Sequence, residues 1–420
     1  MNELYILFCK SPDSILRMPF ALNQIDAELV TLDRELLRRS IRSVDTPCGT
    51  EIQIGGKSLL AFCSNDYLGL ANHPELIAAL SEGARRFGTG SGASHLISGH
   101  HAIHDELEAK LASTQAGAIP NVRALFFSTG YLANISAITA LSLIGEKTSI
   151  YSAALNHASL IDGIRLAKAQ ASIEVHVFDH HHLAELEEVL RHDTAPNKLI
   201  VIDGVFSMDG DLAPVQELLR LANQYDALLM IDDAHGFGVL GKRGHGILED
   251  QSICSDRIIY IGTLGKAAGL NGAFVCAHEK IIAWLIQKAR PYIYSTASSP
   301  ALAFAVLRSI SLIEGDHGQE LRALLQQNIA LWKKESTFTR WKRLESDTAI
   351  QPIMVGSNET ALQLARALDQ FGYWIPAIRP PTVPKGKARL RMTLSAAHTK
   401  EQIEGLCNVL SELESSLPLS

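Results

Sequence analysis

The chain is expected to fold as an α/β protein, with a mainly parallel central sheet covered by helices on both faces and a small α+β C-terminal domain. Three observations predict this. Between about residues 70 and 295, apolar runs of strand length alternate with longer segments of helical periodicity, the pattern of a parallel sheet with helical crossovers. Beyond Pro300 the pattern changes to long helical runs with a few short strand-like stretches. The composition, 47% hydrophobic and 20% charged, is that of an ordinary globular chain. At 420 residues it holds two or three domains of ~100–200 residues, enough for a core without disulfide or metal staples.

The N-terminal apolar run from Leu4 to Cys9 is too short for a signal-peptide core and is flanked by Lys10 and Asp13. Met18 is a second possible start, and residues 1–17 are expected to be an extension without a role in the fold. Residues 20–43 read as an amphipathic helix carrying Leu29, Leu32, Leu36 and Leu37, and 52–62 as a hairpin around Gly55-Gly56. Strands are expected at 124–127, 149–151, 173–178, 199–203, 228–232, 258–261 and 273–277, with helices between most of them, such as 131–144 and 215–225. The C-terminal part should hold helix over 301–334 with a break at 315–318, a strand at 350–355, a helix at 360–371 and a strand at 388–394. The expected division is 1–62 for the N-terminal extension, helix and hairpin, 63–297 for the large α/β domain and 298–420 for the small one.

Several classes are disfavoured. Net charge is −7 and there is no basic tract, so a nucleic-acid partner is not expected. No stretch approaches the ~20 apolar residues needed to span a bilayer, so no membrane partner is expected. The six cysteines form neither C-x-x-C pairs nor a regular framework, which fits a reducing cytoplasm.

In open α/β sheets, ligands bind beyond the carboxyl ends of the strands. The residues after each expected strand therefore carry the functional argument. Ser128-Thr129-Gly130-Tyr131 leads from a strand into a helix, and a helix N-terminus is a ready phosphate site, although an ordinary N-cap reads the same way. Ser207, in Phe206-Ser207-Met208-Asp209-Gly210, is a loop hydroxyl that gains meaning only from its neighbours. Asp232-Asp233-Ala234-His235 ends a buried strand with two carboxylates and a histidine, which is costly unless the groups are used. Thr263-Leu264-Gly265-Lys266 ends the next strand with a lysine among small and apolar residues, where desolvation lowers the amine pKa and makes it a nucleophile. A phosphate turn, a carboxylate, a histidine and such a lysine together are what pyridoxal phosphate requires: an amine for its aldehyde, an acid for its ring nitrogen and donors for its phosphate.

Six stretches extend this into a resemblance: Ser64 to Leu70, Gly88 to Gly92, Asn156 to Ser159, Gly204 to Asp211, Asp232 to Gly236 and Thr263 to Lys266. The chain resembles the fold-type I pyridoxal-phosphate enzymes and, among them, the α-oxoamine synthases, which condense an amino acid with an acyl thioester. The match runs over nearly the whole chain after residue 20. The stretch Ala377 to Pro384, followed by Ala388-Arg389-Leu390-Arg391, is similar to the branch that joins L-alanine to a pimeloyl thioester in biotin biosynthesis. What the resemblance implies is a homodimer using pyridoxal 5'-phosphate. Lys266 would hold the aldehyde, Asp232 would pair with the ring nitrogen and His157 would stack on the ring and assist proton transfer. Ser207 and His235 would flank the phenolic oxygen, Gly130 and Tyr131 would form the cofactor turn and Thr263 would hold phosphate. Asn65 would lie near the reacting amine, Arg379 would clamp the amino-acid carboxylate, and Arg38 and Thr382 would touch substrate. The family often has Gly-Gly-(Ser/Thr)-Arg where this chain has Gly92-Ala93-Ser94-His95. The alternatives are a glycine-using sister such as glycine C-acetyltransferase, an aminotransferase, and a non-catalytic binding protein.

Other features read more plainly. Gly88 to Gly92 follows a helical segment, not a strand, which argues against a dinucleotide loop. His180-His181-His182 is expected to be a solvated surface turn, and His100, His101 and His104 lack the pattern of a zinc helix. No metal is expected.

Overall fold

The computed structural model describes residues 20–416, so the expectation for residues 1–17 falls outside the described positions. Two strands of the N-terminal part, β1 (Glu51–Ile54) and β2 (Lys57–Ala61), form an antiparallel hairpin turning at Gly55-Gly56. Seven further strands follow: β3 (Val122–Phe127), β4 (Thr148–Ala153), β5 (Ile173–Phe178), β6 (Asn197–Asp203), β7 (Leu228–Asp232), β8 (Ile258–Thr263) and β9 (Ala273–His278). They make one sheet in the order β3-β9-β8-β7-β6-β4-β5, and only β9 runs against its neighbours. All seven expected strands are present, each within a few residues of its expected bounds.

The apolar runs are continuous because both faces of the sheet are covered. Along β6, Ile200 and Ile202 pack on one side with Leu218 and Leu221 of helix Val215–Gln224, while Leu199 and Val201 pack on the other with Ile138 and Leu160. Met230 and Ile231 of β7, like Ile259 and Tyr260 of β8, divide between the same two cores. At roughly 1.5–3 kcal/mol for each large apolar side chain removed from water, this double burial is the main stabilising term of the domain.

The C-terminal part contributes β10 (Lys342–Arg343), β11 (Ile350–Gly356), β12 (Tyr373–Trp374), β13 (Ala377–Ile378) and β14 (Ala388–Thr393). Four of them form a sheet in the order β10-β11-β14-β13, and β12 instead pairs in parallel with β2. The N-terminal hairpin therefore shares a sheet with the C-terminal part, a pairing that no local sequence signal announces.

The first helix is shorter than expected. It covers Phe20–Arg34 and ends where Leu36 takes a left-handed backbone at φ 58°. None of its residues is buried, so its apolar stripe, including Phe20, Ile25 and Val30, finds no covering partner among the described residues.

The lysine loop depends on one glycine. Gly269 has φ +69°, and a Cβ there would lie 2.5 Å from the Leu70 carbonyl carbon and 2.6 Å from the Ala71 nitrogen. Its N–H also bonds to the Lys266 carbonyl. Gly269→Ala combines an unfavourable φ with a main-chain clash and is expected to cost roughly 2–4 kcal/mol. Urea unfolding of wild type and variant side by side checks this, and equal midpoints would contradict it.

Candidate active site

Strands β6, β7 and β8 run parallel and end at the same edge, with Asp203 opposite Asp232 in register. Helix Gly130–Leu141 starts at that edge after β3, and helix Ala158–Lys168 starts there after β4. Between them lies a cavity with about 560 Å³ of empty space, lined by Gly130, Tyr131, His157, Ser207, Asp232, His235, Thr263 and Lys266, all expected from the sequence. Asn134, Ser159, Asp203, Val205 and Ala234 complete the wall.

Asp232 is buried, and its two oxygens are held separately. Asn134 Nδ2 donates to Oδ2 at 2.6 Å and the Ala234 amide donates to Oδ1 at 3.0 Å. Asn134 Nδ2 also donates to Ser159 Oγ at 2.9 Å, and that oxygen lies 2.7 Å from His157 Nδ1. One network thus fixes the carboxylate and the histidine across two helices. Asp233, the neighbouring carboxylate, points away from the cavity and accepts from the Ile247 amide at 2.7 Å and the Tyr260 hydroxyl at 2.9 Å. Burial raises its pKa to about 7.

Lys266 Nζ lies 2.8 Å from His235 Nε2, and His235 Nδ1 lies 2.6 Å from the Tyr67 hydroxyl. Tyr67 in turn donates to Asn65 Oδ1 at 3.1 Å. The donor sequence follows from that last bond. With the Tyr67 proton committed to Asn65, His235 Nδ1–H donates to Tyr67, and His235 Nε2 is left to accept from Lys266. Burial, reinforced by the positive charges of Lys266 and Arg391, keeps His235 neutral by pulling its pKa well below the usual range. Burial likewise lowers the Lys266 pKa to about 8, opposed by Asp232 and Asp203.

Helix Gly130–Leu141 is capped by Thr129, whose hydroxyl accepts from the Leu132 amide at 3.2 Å. The amides of its first turn have no partner within the helix, and the helix dipole adds positive potential at that end. A Cβ on Gly130 would meet nothing nearer than Thr263 Oγ1 at 4.0 Å, so the glycine keeps a space open between the turn and that hydroxyl. Asp203 is 3% exposed, and its Oδ1 is buried without a hydrogen-bond partner. Its Oδ2 accepts from the His157 amide at 3.1 Å. An open cradle at a helix N-terminus, a fixed carboxylate and a neutralisable amine at one cavity fit pyridoxal phosphate.

Four expected substrate residues do not line this cavity. Arg38 forms an exposed ion pair with Asp33 at 2.7 Å, and Thr382 is exposed. Asn65 reaches the site only through Tyr67 and Arg391. Arg379 donates instead to the Leu36 carbonyl, under the N-terminal segment. The arginine beside the cavity is Arg391: it is buried, donates through Nε to the Ser207 carbonyl at 2.6 Å and through Nη1 to Asn65 at 3.2 Å, and its charge depresses both His235 and Lys266. Sequence reasoning also missed Asn134, Asp203 and Tyr67. Asp203 had a signal, because it ends the strand next to Asp232. Asn134 lies one helical turn after Gly130, which is visible only once that turn is accepted as part of the site.

The histidine run is only partly solvated. His180 is buried against Phe206 and lies 2.6 Å by Nε2 from Asp211, whereas His181 and His182 are exposed. His95, His100 and His104 gather with ligand atoms within 4.8 Å of one another. Both ring nitrogens of His104 are already engaged, Nδ1 with the His101 amide at 3.0 Å and Nε2 with the Ser298 carbonyl at 2.9 Å.

Fold and donor set together define a pyridoxal-phosphate-dependent transferase. The aminotransferase class I and II family is matched over residues 57–410. A structure of serine palmitoyltransferase with PLP superposes with a TM-score of 0.85 at 28% identity, covering 94% of this chain and 98% of that one. The 8-amino-7-oxononanoate synthase of Janthinobacterium sp. (strain Marseille) is 53% identical over 93% of this chain and 98% of its own. That of Aromatoleum aromaticum is 51% identical over 94% and 99%. The chain belongs to the class I and II aminotransferase family and, within it, to the 8-amino-7-oxononanoate synthases.

The lowered Lys266 pKa has a direct consequence. Its amine should become reactive as pH rises through about 8, whereas an ordinary lysine requires about 10.5. Acetylation of the cofactor-free protein across pH, followed by peptide mass mapping, tests this. A Lys266 profile that coincides with those of surface lysines would contradict it.

Proposed function

We propose that the protein condenses L-alanine with a pimeloyl thioester to give 8-amino-7-oxononanoate, carbon dioxide and free thiol, a step of biotin biosynthesis. The observation that carries this reading is the convergence of Lys266, Asp232 and a helix N-terminus on one cavity, in a chain about half identical to enzymes of that name. Pyridoxal phosphate, when bound, supplies an electron sink for negative charge at the amino-acid Cα.

The chain's own residues supply the rest. Lys266 is the residue that would hold the cofactor, through Nζ, and it is placed to take the alanine Cα proton; a pKa of about 8 suits both tasks near neutral pH. Asp232, fixed by Asn134 and the Ala234 amide, would pair with the ring nitrogen and keep it protonated. The first amides of helix Gly130–Leu141, at Gly130 and Tyr131, take the phosphate together with Thr263. His157, Ser207 and His235 line the same cavity and would contact the cofactor's ring and its phenolic oxygen. His235 also holds Lys266 in place, backed by Tyr67 and Asn65. Arg391, as the arginine at the cavity, takes the alanine carboxylate in bidentate fashion, the assignment that the sequence alone would have given to Arg379. Arg38 and Thr382 serve the outer part of the acyl donor.

We further infer two working units. The larger, 63–297, carries the cofactor. The smaller, 298–420, carries Arg391, and the hairpin of the N-terminal unit, 1–62, pairs with it through β2 and β12. We also infer a homodimer in the cytoplasm. The uncovered apolar stripe of helix Phe20–Arg34 supports the dimer, since such a surface is costly in water. Light scattering should give twice the chain mass, and a monomer at micromolar concentration would contradict it.

Turnover tests the activity itself. Purified protein loaded with pyridoxal phosphate should release carbon dioxide from L-alanine only when a pimeloyl thioester is present. Lys266→Ala should lose the holoprotein's visible absorption band and at least ~1,000-fold in rate. Equal turnover with glycine, or full activity in the variant, would overturn the reading.

A further inference from the structure

The turn that follows β5 holds donor atoms that the condensation does not use. Asp179, His180, His181 and His182 form a β-turn, closed by the His182 amide on the Asp179 carbonyl at 3.0 Å. Within it, one ligand atom each from Asp179, His180 and His181 lie within 4.8 Å of one another. His180 is buried, whereas Asp179 and His181 are open to solvent. An ion held there would rest on a fixed imidazole and be reached from outside.

His180 is held in the tautomer that a metal requires. Its Nε2 lies 2.6 Å from Asp211 Oδ2. A carboxylate oxygen only accepts, so Nε2 carries the proton and Nδ1 keeps its lone pair. Among the described residues Nδ1 makes no hydrogen bond, and it faces Asp179 Oδ1 at 4.0 Å. Two ligands on a tetrahedral zinc stand about 3.4 Å apart, so an ion would draw this pair together by roughly 0.6 Å. The outer partners are in place as well. His182 Nδ1 lies 3.0 Å from Asp179 Oδ2 and orients that carboxylate. Asp211 Oδ1 is buried with no hydrogen-bond partner among the described residues, so its charge is free to strengthen the imidazole it holds. The other histidine group differs, because its nitrogens satisfy one another. His95 and His100 face each other by Nδ1 at 2.7 Å, His100 Nε2 lies 3.0 Å from Asp105, and His104 is engaged at both nitrogens.

We propose that Asp179, His180 and His181 bind one divalent transition-metal ion of the zinc class, through two imidazoles and a carboxylate, with water in the remaining positions. The ion's role is structural. His180 stacks on Phe206 with ring centroids 3.8 Å apart, and the Phe206 amide donates to the Asp211 carbonyl at 3.0 Å. The next residue, Ser207, lines the cavity, and its carbonyl holds Arg391. An ion at the turn therefore braces the loop that forms one wall of the cavity.

The test titrates metal-stripped holoenzyme, carrying no affinity tag, with Zn2+ by calorimetry and with Cu2+ by electron paramagnetic resonance. Wild type should take up one ion per chain at micromolar concentration, and the Cu2+ spectrum should show coupling to two nitrogens. The exposed variant His181→Ala should weaken Zn2+ binding at least ~10-fold and remove one nitrogen from the spectrum. Asp211→Asn keeps all three ligands but loses the partner of His180, and should weaken binding by roughly 10- to 100-fold. Zn2+ should raise the unfolding temperature of wild type and leave that of His181→Ala unchanged. The cofactor's visible band, retained in each variant, reports an intact fold. Wild type that binds Zn2+ only at millimolar concentration would overturn the proposal. So would an affinity unchanged in His181→Ala, or one lost instead in His100→Ala, which would place the ion at the other histidine group.

Discussion

A buried carboxylate at the end of a central strand is the constraint on which the site is built. Removing Asp232 from water is expensive unless each oxygen is matched by a donor. The Ala234 amide supplies one donor from the same turn, and Asn134 supplies the other from a helix nearly 100 residues earlier. Satisfying Asp232 therefore locks helix Gly130–Leu141 against β7, which aims the helix N-terminus at the cavity. The same Asn134 reaches Ser159 and, through it, His157. A single desolvation problem thus fixes the N-terminus of helix Gly130–Leu141, Asp232 and His157 relative to one another.

Lysine is positioned by a second chain of bonds. His235, Tyr67 and Asn65 form a directed series ending at Arg391, and burial holds His235 neutral so that its lone pair remains available to the lysine. This series joins the large sheet to β14, so the amine and Arg391 come from different parts of the fold but are linked by one set of hydrogen bonds. The loop that carries Lys266 is held against Leu70-Ala71 at Gly269, where no side chain fits.

Charge is distributed by function. Inside the cavity, acids and bases face each other: Asp232 and Asp203 oppose the fall that burial imposes on the Lys266 pKa. Where the N-terminal segment crosses the C-terminal part, positive charge gathers at Arg39, Arg366 and Arg379 with the adjoining acids already paired.

Much of this was legible in the sequence. Strand-length apolar runs marked all seven strands because a sheet covered on both faces leaves no polar alternation. Polar residues at strand ends marked Asp232, His235, Thr263 and Lys266, because such groups are rarely placed there without use. The sequence by itself thus determined the chemistry available and the order in which it reaches the sheet edge. Only the tertiary structure decided which groups meet. Arg379 and Arg391 are both arginines in one short stretch, and nothing local tells them apart; the register of β13 on β14 places one beside the cavity and the other beneath Leu36. Asn134 is an ordinary helix residue until Asp232 is packed against it, and the N-terminal hairpin gives no sign that its sheet is completed by Tyr373–Trp374. These pairings join residues far apart in the chain, and their energies come from burial and hydrogen bonds that exist only once both partners are in place.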